Sequence, residues 1–298
     1  MIPTLNRDER LIRAVRSVFS QTAGDYEVIV VDDGNDDSEA LLRENFGERV
    51  RYLRGPAAGI GAGRNAGIEN ARGEFVAFLD SDDVWYPTKL ERVAAAVRKH
   101  PEIGLFYSRM DILDADGRLI RTPPIRVRRD VYPAIAEGNF IFNSTVVVRK
   151  SCLERAGAFD TQLSGCEDWD LWIRVSRHCR ALLVDESLVG YYLSADNTTR
   201  DYETWANAHD RAIAKVLRDD PALDAPHVAR IRAGLAYAKA SIYLAAGRKT
   251  EALRLFREAA HLNPRHWRAR VYALVLSWKS LRMVLPNRIK TLLRLPAE

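Results

Sequence analysis

Three carboxylates fall within four positions at Asp80-Ser81-Asp82-Asp83, directly after the apolar run Phe75-Val76-Ala77-Phe78-Leu79. A short apolar run of this kind, preceded by Gly73, predicts a buried strand. Like charges at the end of a buried strand repel, and desolvation makes the repulsion worse. No basic residue adjoins Asp80-Ser-Asp82 in the chain, so the compensating charge must come from elsewhere. A carboxylate about 4 Å from a phosphate is repelled by about 4 kcal/mol at an effective dielectric of about 20. A divalent cation reverses that sign, and Mg²⁺ or Mn²⁺ characteristically joins one or two carboxylates to a diphosphate. The pattern therefore points to a nucleotide diphosphate carried in with a metal; a plain polar strand end is the alternative.

The neighbouring segments supply the scaffold. "NRDERLIRAVRSVFSQT" sets Leu11, Val15, Val18 and Phe19 on one helical face, and "YEVIVVDDG" is a strand that also ends in carboxylates, Asp32 and Asp33. "DDSEALLRENF" offers a capped helix, "VRYLR" a brief strand, "GPAAGIGAG" a loop, and "RNAGIENARG" a helix closed by Gly73. The acidic strand follows, then a helix in "PTKLERVAAAVRKH" with Pro87 at its start. Strands alternating with helices predict βαβ units and an α/β fold with a mostly parallel sheet, whose ligands bind outside the strands' carboxyl ends. Asp32, Asp33, Asp80 and Asp82 all fall on that rim. Further on, "IGLFYS" and "STVVVRK" read as strands, "DILDADGRLI" as a hairpin turning at Asp116-Gly117, and "EDWDLWIRVSRHC" as a helix.

With 298 residues and 47% apolar content, the chain can bury one large or two modest cores. Three cysteines without CxxC spacing fit a reducing compartment. Six histidines form no HExxH pattern, which disfavours a histidine-built zinc site. No signal peptide is visible and no apolar run approaches the roughly 18 residues of a membrane span, so the expectation is a cytoplasmic protein. The net charge of +5 is unevenly placed: from Arg248 to Glu298 there are 12 Lys or Arg against 3 Asp or Glu, a surplus of nine, which leaves the preceding residues at −4. A mildly acidic body with a basic tail is not the pattern of a nucleic-acid binder.

Pro3-Thr4-Leu5-Asn6-Arg7, "VVDDGNDDS", "GIGAGRNAGIENARGEFVAFLDSDD" and "GCEDWDLWIRV" occur in the order seen in family 2 glycosyltransferases of GT-A fold, which residues 1–195 resemble. The resemblance implies a nucleotide-sugar donor, a UDP-sugar first among them, a DxD-held Mn²⁺ or Mg²⁺, and sugar transfer with inversion onto a glycan or lipid-linked acceptor in cell-envelope synthesis. By the same resemblance Thr4 and Asp32 or Asp33 line the nucleobase pocket, and Arg64 reaches the base or phosphates. Asp80 faces the ribose with Ser81 beside it, Asp82 binds the metal, and Asp168 is the catalytic base. Glu167 and Trp169 are placed on the acceptor side, although Trp169 and Trp172, three apart on a helix, read as core in preference to acceptor-stacking residues. Arg64 has a helix-surface alternative, and Glu167-Asp168 a helix-dipole one. "YYLSADN" carries no His near Ser194, so metal binding would rest on Asp82, the diphosphate and water. A rival GxGxxA pattern, Gly61 to Ala66, is displaced from the first βα unit where a dinucleotide site needs it.

The domain expectation is a GT-A unit over residues 1–198 and a helical region over 199–298. Within the latter, "YAKASIYLAAGRKTEALRLFREAAHLNP" resembles one tetratricopeptide unit turning at Gly247. A lone repeat cannot bury its own face, so it reads as a helical appendage, or as part of a catalytically silent nucleotide-binding scaffold. Val271, Leu274, Val275, Trp278, Leu281 and Leu285 form a stripe, interrupted by Arg282, among basic residues including those of "NRIKTLLRL". Such a segment either contacts an anionic membrane peripherally or caps the helical region.

Overall fold

A computed structural model describes residues 1–5, 9–34, 38–125, 129–193 and 202–284, with side chains as far as residue 277. Asn6, Arg7, Ser194, "NRIKTLLRL", Leu285 and the side chains of Trp278, Leu281 and Arg282 lie outside the described residues. The chain divides into two compact units, Met1–Thr198 and Thr199–Glu298.

In the first unit, β1 (Ile2–Thr4), β2 (Val28–Asp32) and β3 (Val50–Arg54) pair in parallel, separated by α1 (Glu9–Phe19) and α2 (Ser38–Phe46). All five residues of β2 are buried, as a central strand covered on both faces requires. The helical face of α1 is the expected one, with Leu11, Val15 and Val18 in a core shared with Ile2, Val28, Val30 and Leu79. Register sets Thr4 beside Asp32 and Asp32 beside Arg54, so the three carboxyl ends are level.

Next come α3 (Ile60–Asn70), β4 (Phe75–Ala77), β5 (Val84–Trp85), α4 (Lys89–Lys99), β6 (Leu105–Leu113), β7 (Leu119–Arg121), α5 (Ala134–Glu137), β8 (Val147–Arg149), α6 (Lys150–Ala156), α7 (Glu167–His178) and β9 (Ala181–Tyr192). They include a six-stranded sheet ordered β4-β8-β6-β9-β5, with β7 on β6. Here only β6 and β9 are parallel; the other pairings are antiparallel. The parallel expectation thus describes the first three strands, while the second half is mixed, with β6 and β7 forming an antiparallel hairpin and β8 running antiparallel to both β4 and β6. The N-terminal ammonium donates to the Ala77 carbonyl, and the Leu79 N–H donates to the Met1 carbonyl. These bonds join β1 to the β4 segment, so the chain before Asp80 is a buried central strand, as its apolar run demands.

Two local expectations change, and one strand leaves no clear signal in the sequence. The glycine-rich stretch is helix from Ile60 onward rather than loop, and that helix ends at Asn70, not Gly73. β9, twelve residues long, is interrupted by Asp185, Glu186 and Ser187, which masks its period in the sequence. Cys152 at α6 and Cys179 after α7 form a disulfide, while Cys166 is buried and free, which corrects the expectation of reduced cysteines throughout. The two bonded residues are 27 apart and no local spacing announces them.

The second unit is helical: α8 (Tyr202–Asp219), α9 (Ala225–Ala245), α10 (Lys249–Leu262) and α11 (Trp267–Val284). The α9–α10 hairpin turns at Gly247, whose φ of 77° favours glycine. Its core consists of Ala236, Ala240, Ala252, Leu255, Phe256, Ala259, Ala269 and Leu276. Phe256 stacks on Tyr272 of α11 at 4.9 Å, so the lone repeat finds its missing partner in the next helix. None of the described helices is long and apolar enough to cross a membrane.

Candidate active site

The candidate site grows from one guanidinium. Arg64 lies in the second turn of α3, its side chain 4% exposed. It donates from Nη1 to Glu167 Oε1 at 2.8 Å and from Nη2 to Asp80 Oδ1 at 2.8 Å. The compensation that the acidic strand end lacks in sequence therefore comes from a helix 16 residues upstream. Burial works against the Arg64 charge, but Asp80, Glu167 and Asp168 outweigh it and raise its pKa. Asn65 adds a second clamp: its Nδ2 donates to the Phe159 carbonyl, and its Oδ1 accepts from the Phe159 N–H. Successive α3 residues thus dock the strand-end carboxylate and the loop that leads into α7.

Asp80 also accepts from Asn143 Nδ2 at 2.8 Å, again on Oδ1. Ser144 Oγ accepts from the Asp80 N–H and donates to Asp83 Oδ2 at 2.5 Å. The turn bearing Asn143 and Ser144 is fixed from below, because Trp85 Nε1 donates to the Ser144 carbonyl and Lys89 Nζ to the Thr145 carbonyl. Burial alone pushes the Lys89 ammonium down to about 7. Burial first, and then Asp80 and Asp82, drive the Asp83 carboxyl well above its ordinary range. Neither Asn143 nor Ser144 was among the sequence candidates. The available signal was three polar residues, Asn143-Ser144-Thr145, inside the apolar run "FIFNSTVVV", all three of them buried.

At the other end of the rim, Asp32 is fully buried and accepts from the Gly34 N–H at 2.8 Å, Tyr52 Oη at 3.0 Å and Arg54 Nη1 at 3.3 Å. Asp33 Oδ1 accepts from the Ala57 N–H. A Cβ on Gly55 would sit 1.9 Å from that same oxygen, so any side chain there would displace the Asp33 carboxylate. Thr4 Oγ1, Asp33 Oδ2 and Asn143 Oδ1 are buried without a hydrogen-bond partner among the described residues. Buried polar atoms are normally satisfied, and these three mark positions where a polar ligand would be welcome. Ser81 is buried, and Asp82 is half-buried with its carbonyl accepting from Arg13 Nη2.

Glu167, Asp168 and Asp170 share the first turn of α7, but their environments differ. Glu167 is held by Arg64 and accepts from the Gly165 N–H at 2.7 Å. Asp170 is structural: it takes Arg174 at 2.9 and 2.6 Å, and Arg174 in turn donates to the Ala156 and Ala158 carbonyls at the C-terminal end of α6. Asp168 is half-buried and accepts from the Trp169 N–H. Burial, and then the charge of Glu167, push its carboxyl up to about 7 against the opposing pull of Arg64. A carboxyl poised there suits a general base at neutral pH.

Trp169 does not face an acceptor. It is 1% exposed and its indole donates to the Ile135 carbonyl, while Trp172 packs edge-on to Phe78 and Phe159. Both tryptophans are core, and Glu167 is engaged with Arg64 rather than open to solvent. Arg64 is likewise enclosed between carboxylates rather than extended toward a base.

The described residues contain no group of three or more His, Cys, Asp or Glu placed to hold a metal by themselves. The donor set nevertheless fits a hard divalent cation shared with a diphosphate: both side-chain bonds to Asp80 fall on Oδ1, and Asp82 adds a second carboxylate two residues on. Two cavities, about 460 and 880 Å³, lie elsewhere, the first by Arg43, Arg49 and Arg51 and the second by Tyr26, Phe75 and Val97; neither is lined by Asp80 or Asp168.

Comparison with known proteins follows the same lines. The chain is 26% identical over 207 residues to an uncharacterized glycosyltransferase of Rickettsia prowazekii, covering 67% of this chain but 64% of that relative's length. It is 28% identical over 210 residues to the amylovoran biosynthesis glycosyltransferase AmsB of Erwinia amylovora, covering 65% of this chain and 68% of the relative. Among solved structures, S. aureus TarS 1–349 in complex with UDP-GlcNAc aligns with a TM-score of 0.58 at 17% identity, covering 92% of this chain and 87% of that one. The mannosyltransferase PcManGT of Pyrobaculum calidifontis, in complex with GDP-Man and Mn²⁺, aligns with a TM-score of 0.60 at 19% identity, covering 95% and 86%. At these identities the structural likeness concerns the fold, which is GT-A. The sequence profile described as glycosyl transferase family 2 matches residues 1–155, more than half of the 298, and the chain belongs to that family.

Proposed function

We propose that this chain transfers a sugar from a nucleotide-diphosphate donor to a hydroxyl of a glycan or lipid-linked acceptor, with inversion at the anomeric carbon. The observation that carries the reading is the Arg64 bridge, which gathers Asp80 from the strand end and Glu167 from the α7 N-terminus beside Asp168. The relatives' names, one of them a polysaccharide biosynthesis enzyme, support the class. UDP-GlcNAc and GDP-Man in the structural neighbours are consistent with a nucleotide-sugar donor.

In this reading Thr4, Asp32 and Asp33 receive the nucleoside, with Thr4 Oγ1 and Asp33 Oδ2 as its polar contacts. Asp80 and Ser81 take the ribose side, held in place by Arg64 and Asn143. Asp82, with Asp80, would hold Mn²⁺ or Mg²⁺, which when bound supplies positive charge against the departing diphosphate. The Asp168 carboxylate takes the acceptor's hydroxyl proton as that oxygen bonds to the anomeric carbon. The bond from that carbon to the phosphate oxygen breaks, and the electron pair leaves with the nucleoside diphosphate. Burial and the Glu167 charge keep Asp168 basic near neutrality, while the Arg64–Glu167 bond fixes the helix terminus on which it sits.

The test is release of nucleoside diphosphate from a panel of nucleotide sugars, in the parent and in Asp168→Asn. The variant keeps the shape and donor affinity but loses the proton acceptor, so transfer should fall by about 10²–10⁴-fold, mainly in kcat. A folded, donor-binding variant that transfers sugar at the parent rate removes Asp168 from the role. A parent that binds nucleotide and transfers nothing from any donor favours the silent scaffold instead.

A further inference from the structure

The last described helix of the second unit is apolar on two faces, and only one of them is packed. Ala269 and Leu276 enter the core with Phe256, and Tyr272 stacks on the Phe256 ring. On the other side, Trp267, Val271, Leu274 and Val275 stand out at 58%, 47%, 69% and 47% exposure. With about 3.6 residues per turn, positions i, i+4, i+7 and i+8 make one continuous stripe. The same geometry sets exposed Arg270 on one side of this stripe and exposed Arg268 on the other, with Arg265 just before the helix. The segment Trp267–Val284 contains no acidic residue.

We propose that this face of α11 is a docking surface for an anionic membrane, with the tryptophan and aliphatic side chains entering the headgroup boundary and the flanking arginines meeting lipid phosphates. Charge decides between occupants. In a two-fold pair of copies the patch would face itself, bringing arginine rims of equal sign together with no carboxylate on α11 to separate them. An anionic surface instead opposes both rims with negative charge, and a basic-flanked apolar stripe with an indole at its edge is the composition of helices that lie in a membrane interface. This inference concerns the second unit alone and stands whether or not the first transfers sugar.

Co-sedimentation of the full chain with mixed phosphatidylcholine–phosphatidylglycerol vesicles, against pure phosphatidylcholine vesicles, tests it. Binding is expected to the mixed vesicles only, and to weaken as salt shortens the Debye length from about 30 Å at 0.01 M to about 8 Å at 0.15 M. Neutralising Arg268 and Arg270 to Gln should weaken binding about fivefold each. Leu274→Asp with Val275→Asp should abolish it while leaving the circular dichroism and unfolding transition unchanged, since both side chains are exposed. No binding at low salt, equal binding to neutral vesicles, or binding indifferent to the double Asp variant each overturns the proposal. So does self-association that the same double variant abolishes, which would make a second copy the occupant.

Discussion

In the first unit a guanidinium is enclosed with three carboxylates, Asp80, Glu167 and Asp168. In the second, the interior is alanine, leucine and aromatic rings, and pairs such as Arg254–Glu258 stand in solvent at 71% and 47% exposure. The physics of the two arrangements differs in sign. An enclosed pair gains little over a well-packed apolar substitute, yet removing one partner strands charge that cannot reach water. An exposed pair is screened and free to rearrange, so removing it changes almost nothing. A fold keeps an enclosed ionic cluster at that cost when the groups do something besides stabilise, and here they gather at the strand ends where an α/β sheet places its ligand.

The largest expected effect breaks the enclosed cluster. Arg64→Met keeps much of the aliphatic stem and removes the charge, leaving Asp80 and Glu167 without their cation, so unfolding free energy should drop by about 3–5 kcal/mol in urea titration. A drop no larger than that of an exposed arginine would mean that water already reaches these carboxylates. In the second unit the comparable loss should come from an apolar residue. Phe256 is fully buried between Tyr237 and Tyr272, and Phe256→Ala should cost about 3–5 kcal/mol. Because the two units are separately compact, that loss should appear in one part of a calorimetric transition and leave nucleotide binding in place.

A smaller, pH-dependent effect sharpens the contrast. The Asp168 carboxyl stands at about 7 in the folded chain against an ordinary 3.8. A raised carboxyl pKa means the folded state holds the proton more tightly. Its contribution to stability is therefore complete below about pH 4 and is lost as pH rises through 7. Asp168→Asn does not titrate, so its melting temperature relative to the parent should be higher at pH 8 than at pH 5. An equal difference at both pH values would show an ordinary carboxyl. Transfer activity should run the other way, rising through about pH 7 as the base loses its proton. The smallest effect is at the surface: Arg254→Ala should cost about 0.3–0.5 kcal/mol, within the scatter of most unfolding measurements.

Much of this architecture is legible in the chain because it depends on local periodicity. The buried face of α1, the apolar run of β2 up to Asp32, the hairpin at Asp116-Gly117 and the α9–α10 turn at Gly247 each follow from spacing that a helix or strand imposes on its own residues. The carboxylates at the strand ends are legible too, since an apolar run that stops at Asp announces both a strand and its rim. The four motifs in order were enough to indicate the family.

What the sequence alone could not assign is which charges meet. Arg64 joins Glu167 across 103 positions and Asp80 across 16, and neither separation leaves a periodic trace. The same holds for Asn143 on Asp80, for the Cys152–Cys179 bond, and for the inward turn of Trp169 toward Ile135. The glycine-rich segment misled for a related reason. Gly61 and Gly63 weaken a helix by about 1 kcal/mol each on intrinsic propensity. Yet α3 forms there because Arg64 and Asn65 anchor it to the acidic strand end and to the loop before α7. Propensity and period belong to neighbouring residues and are written in the sequence. The pairing of buried charges belongs to the packed sheet, whose low dielectric makes each unpaired group costly, and the tertiary structure alone decides it.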